Sequence, residues 1–79
     1  MAGTSIPHYR DRKGLTQAKL AESVGITEWE MSRIENGISV PTPDQVDRIA
    51  TKLEALPTQL FSKGMLSVVA ERAREQAAS

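Results

Sequence analysis

Between Thr27 and Arg33 the chain carries an arginine, a tryptophan, a glutamate and two hydroxyl residues, spaced so that one helix would turn most of them outward. Each residue has a defined use against a base-pair edge. The guanidinium fork of Arg33 matches O6 and N7 of guanine in a major groove. Glu28 can accept from cytosine N4 and repel other bases. Thr27 and Ser32 offer polar contacts of low specificity. The indole of Trp29 donates a single hydrogen bond, so its use would be apolar contact with a thymine methyl or a sugar. Each also has a plainer alternative. Arg33 could form a solvated pair with Glu30, three residues earlier. Glu28 could simply stabilise a helix start, and Trp29 could fold against a neighbouring helix or a partner.

Presenting that face outward requires a rigid support, and residues 17–36 spell one. Thr16 is a good N-cap before Gln17. Leu20, Ala21 and Val24 recur at helical spacing as an inward stripe, with Ala21 small enough for a close crossing. Gly25 follows where a left-handed backbone is needed, and Ile26 packs the corner. Thr27 with Glu30 has the T-x-x-E spacing of a capping box. Thr27, Met31 and Ile34 form the inward side of the second helix, and Asn36-Gly37 ends it. At about 100° per residue Trp29 then points almost directly outward, flanked by Glu28, Ser32 and Arg33. Two short helices around one glycine outline a helix-turn-helix, a device that lays its second helix in the major groove of DNA.

Gly14-Leu15-Thr16-Gln17, Leu20-Ala21, Gly25-Ile26, Met31, Ile34 and Glu35-Asn36-Gly37 together resemble the lambda-repressor/Cro-type (XRE) helix-turn-helix family over residues 6–61. The resemblance implies an all-α, compact five-helix domain that binds operator DNA as a dimer. It also implies phosphate contacts by Gln17 and Asn36; the alternatives are a solvated helix start and a helix C-cap. Lys13 and Lys19, with Arg12, could add charge there. Arg10 and Glu35 stand where the family pairs an arginine of helix 1 with the glutamate ending helix 3, which marks them as a structural ion pair. In two places the chain departs from the family pattern: a short first helix, and Glu54 where a glycine is common.

Outside the motif, a helix is expected over about 6–13, with Pro7 in its first turn, Ile6 and Tyr9 inward, and a start that frays near His8. Thr42 caps a fourth helix that has Pro43 first, Asp44 in its first turn and Val46, Ile49, Ala50 and Leu53 buried. Pro57 begins a short fifth helix through Leu60 and Phe61. Gly64 separates a last amphipathic helix, Met65 to about Ala77, beyond the five-helix unit. Met65, Leu66, Val69, Ala70, Ala73 and Ala77 fall on one side of it and Glu71, Arg72, Arg74 and Glu75 on the other. The expected division is therefore a DNA-binding domain, 1–63, and a C-terminal helix, 64–79. That helix either covers its own core or dimerises, with Leu56, Leu60, Phe61, Met65, Leu66 and Val69 as the contact candidates.

Composition narrows the function further. Seventy-nine residues make one small domain with a mostly aliphatic core, since the chain has one each of Trp, Tyr and Phe. Without cysteine there is no disulfide and no thiolate metal site. His8 lacks a matched acid or nucleophile, and Asp44 and Asp47 read as solvation, so no enzyme, cofactor or metal site is expected. No apolar run spans a membrane and residues 1–5 lack a signal-peptide pattern, which leads to a cytoplasmic protein located on the nucleoid. Ten basic residues balance ten acidic ones, so phosphate contacts must come largely from neutral donors and helix N-termini. The expected function is a DNA-binding transcriptional regulator acting as a homodimer on an inverted-repeat operator. An autoregulatory repressor of a phage, plasmid or restriction–modification system fits best. The alternatives are an antitoxin-type regulator with a toxin partner, or a protein-interaction module that keeps the fold without DNA affinity.

Overall fold

The structure, a computed structural model, describes residues 3–78, with side chains as far as Gln76. Among these residues it is all helical: α1 (Ile6–Arg12), α2 (Gln17–Val24), α3 (Glu28–Glu35), α4 (Pro43–Leu53), α5 (Pro57–Leu60) and α6 (Lys63–Ala78). Side chains of Ile6, Leu20, Met31, Ile34, Ile49, Leu53 and Leu60 are almost wholly buried and meet in one core. Burying each is worth roughly 1.5–3 kcal/mol and is a leading favourable term in ordering the chain. Around this core α2 packs on α1, α3 and α4, and α6 lies against α4 and α5.

Local chemistry fixes the ends of the two motif helices. Thr16 Oγ1 accepts the N–H of Lys19, and Thr27 Oγ1 that of Glu30, each at an extended N-cap. Gly25 closes α2 at φ +77°, where a side chain would be strained. Thr27 itself is exposed, which corrects its place on the inward side of α3. Only the hydroxyl half of the expected Thr27–Glu30 box is formed. The complete capping box lies at α4 instead, where Gln45 Oε1 also accepts the N–H of Thr42. Glu54, standing where the family often has glycine, adopts the left-handed conformation itself at φ 54°. The α4–α5 connection is therefore kept despite the substitution.

Two chain ends differ from expectation. The start does not fray at Ile6, because Thr4 N–H donates to Glu35 O at 3.0 Å and Ser5 N–H to Leu60 O at 2.9 Å. Gly64 does not separate a segment; it lies inside α6, whose first turn is capped by Ser62 Oγ accepting from Met65 N–H. Val69 is buried and Met65 and Leu66 pack partly on the core, whereas Ala70, expected inward, is exposed. Ala77 has its side chain outside those described. Leu60, Phe61 and Val69 are 1%, 3% and 5% exposed, so they serve this chain's own core and are removed from the dimer candidates. Leu56 is exposed, with Met65 and Leu66 half-covered.

Candidate nucleic-acid interface

The inner end of α3 is held by one buried carboxylate. Glu35 is 5% exposed and accepts from Arg10 Nε at 3.0 Å and Nη2 at 3.2 Å, so the guanidinium grips it through two nitrogens. Gln17 Nε2 adds a third donor at 3.2 Å. Arg10 Nη1 donates in turn to Leu15 O at 3.1 Å, on the loop before α2. The main-chain oxygen of Glu35 accepts from both the N–H and the hydroxyl of Thr4. α1, the start of α2 and the N-terminal segment thus converge on the last residue of α3. Among the described residues no buried side-chain polar atom lacks a partner, so this network is fully satisfied.

The opposite face of α3 is open. Trp29 is 68% exposed, and Thr27 and Glu28 stand in solvent beside it. Arg33 is half-buried because its guanidinium lies 4.9 Å from the Trp29 ring centroid, a cation–π stack one helical turn long. Its Nε donates to Ser39 Oγ at 3.0 Å, in the following loop, rather than to Glu30. Ser32 is half-buried, and its carbonyl accepts Asn36 Nδ2 at 2.8 Å, the C-cap alternative for that amide. Asn36 is nevertheless exposed, and a second amide hydrogen is available on it.

The structure separates the expected phosphate contacts. Lys19 is exposed on α2, and Lys13, also exposed, is paired with Glu54 at the end of α4. The Lys13 hydrogen bond, and then its charge, hold the Glu54 carboxyl below the usual carboxylate range. Gln17 is half-buried against Glu35, so one of its two amide hydrogens is engaged there. Ser39 and Thr4 were missed by sequence reasoning. Their partners lie 6 and 31 residues away, and only the turn glycine Gly37 hinted that the loop folds back on α3. Among the described residues no cluster of three or more His, Asp or Glu could hold a metal ion, and no helix is long and apolar enough to cross a membrane.

Two short helices crossing at Gly25, with the second held from behind and open in front, define a helix-turn-helix DNA-binding protein. A helix-turn-helix domain family model matches residues 3–60, and the chain belongs to that family as a DNA-binding regulator of the XRE type rather than an enzyme. The restriction-modification controller protein C.AhdI from Aeromonas hydrophila is similar at 28% identity and TM-score 0.64, covering 71% of this chain and 85% of that one. The SinR protein of the SinR–SinI protein complex shares the fold at 22% identity and TM-score 0.65, covering 94% of this chain and 75% of its own. No curated protein sequence matches the chain.

Proposed function

We propose that this protein is a sequence-specific transcriptional regulator that binds an inverted-repeat operator as a homodimer and represses its own gene. α3 lies in the major groove, with Arg33 reading guanine, Trp29 against a thymine methyl or sugar, and Thr27, Glu28 and Ser32 around them. Gln17, Asn36 and Lys19 meet phosphates on either side, which fixes the register of α3 on the duplex. Two such helices enter grooves about one helical turn, ~34 Å, apart. Residues 1–63 carry the DNA site and the C-terminal helix, with Leu56, Met65 and Leu66, carries self-association. The similarity to a restriction-modification controller supports an autoregulatory role of that type, in the cytoplasm.

The observation that carries this reading is the exposed Trp29–Arg33 stack on a helix locked from behind by Glu35. Such a surface has the chemistry of a base-pair edge reader. Selection of bound sequences from random duplexes tests it. An inverted repeat should be enriched, and Arg33→Ala should relax preference at one position of each half-site. If no duplex is enriched at low salt, the reading fails.

A second reading has its own support. Zero net charge, with Glu28 exposed and Glu30 half-exposed on the presented face, suits a protein surface better than a phosphate backbone. In that case the fold serves protein interaction without DNA affinity. Failure of the duplex selection would favour it.

A further inference from the structure

Arg33 is held at both ends by a single residue outside the helix-turn-helix. Its main-chain oxygen accepts the N–H of Ser39 at 3.2 Å as well as that of Ile38 at 2.9 Å. Its side-chain Nε donates to Ser39 Oγ at 3.0 Å. The chain folds back this sharply because Gly37 takes φ +74°, a conformation that residues with a Cβ rarely adopt. The Trp29 ring, 4.9 Å from the guanidinium carbon, covers one face of the same group.

We infer that Ser39 is a positioning residue for base recognition, fixing Arg33 so that its Nη1/Nη2 edge is the one offered to guanine. The inference rests on the DNA-binding reading above and deepens it. A guanidinium can make paired hydrogen bonds through either of two edges, Nε with one Nη or the two Nη together. Ser39 occupies Nε, which removes the first edge. The indole face and the Ser39 hydroxyl together restrict the rotation that remains. The outer edge is then a fork of two parallel donors, matched to the O6 and N7 acceptors of one guanine. The fork is ordered before DNA arrives, so less conformational freedom is lost on binding. Adenine presents a donor at the O6 position and is rejected by the same fork.

The test uses the full chain and the duplex enriched by selection, with guanine-to-adenine exchange at the position that Arg33→Ala relaxes. Ser39→Ala should lower the guanine-over-adenine preference there by about threefold to tenfold, the effect of freeing one hydrogen-bonded arginine. Its melting temperature and its binding to random-sequence duplex at low salt should match the parent. Ser39→Thr, which keeps the hydroxyl, should restore the preference. On an Arg33→Ala background Ser39→Ala should change nothing further, because its effect passes through Arg33. A Ser39→Ala protein with full preference, or one that loses as much without Arg33, would overturn the inference while leaving DNA binding intact. If the parent enriches no duplex at all, the DNA reading itself fails and the inference goes with it.

Discussion

α3 and α6 are both amphipathic, and they are held in opposite ways. α3 has only eight residues, yet Met31 and Ile34 are fully buried and Glu35 closes a network drawn from three other segments. α6 has sixteen residues, but its anchors end early. Ser62 caps it, Met65, Leu66 and Val69 pack on the core, and beyond Val69 the described residues are exposed apart from half-covered Ala73. A polar helical stretch so short is marginal in water by itself. Length therefore says little about how firmly a helix is fixed. Buried contacts hold α3 firmly from behind, whereas α6 has its core contacts in its first half.

The largest effect should come from loosening the back of α3. Glu35→Ala leaves the Arg10 guanidinium without its carboxylate at one-fifth side-chain exposure, and should cost about 3 kcal/mol in urea unfolding. Replacing both, as Arg10→Met with Glu35→Met, should recover much of that loss, because no unpaired charge remains. Changing the front of α3 should act on DNA instead. Arg33→Ala should lose about 1–3 kcal/mol of discrimination at one base pair, with folding stability lowered by only about 1 kcal/mol through the lost stack and hydrogen bond. The same contrast holds in the C-terminal part of the chain. Val69→Ala should destabilise by about 1–2 kcal/mol in thermal melts, while Leu56→Glu, at an exposed position, should stay folded and sediment as a monomer. An unchanged dimer of Leu56→Glu would remove that residue from the contact.

The smallest effect should be acid dependence far from either face. The Glu54 carboxyl is held low by Lys13, so its contribution is present at neutral pH and is lost as pH falls through its folded-state pKa. Lys13→Met should melt slightly below the parent at neutral pH, and the two curves should converge in acid. Both groups face solvent, so salt should shrink the difference.

What was legible in the sequence was local. Thr16, Gly25, Thr27 and Asn36-Gly37 mark helix ends through their own backbone chemistry, and the observed ends fall there. The stripe of Leu20, Ala21, Val24, Met31 and Ile34 announced its burial by spacing alone. The T-x-x-Q of Thr42 and Gln45 was equally visible and went unread in favour of Thr27 and Glu30. Contacts between distant segments were not legible. Thr4 reaches Glu35 across 31 residues, and no periodicity encodes that. A serine in a loop is too common to single out Ser39. The pairing of Lys13 with Glu54, 41 residues away, was equally hidden. The helical wheel of α6 gave the right face for Val69 but could not say where along the helix the core stops.

Trp29 is the chain's one tryptophan, so its fluorescence reports on the outer face of α3 alone. Acrylamide quenching should be strong in the free protein, where the ring is 68% exposed, and should fall sharply when the enriched duplex is added. Tight duplex binding with Trp29 quenched as readily as before would place DNA on another surface and contradict the account.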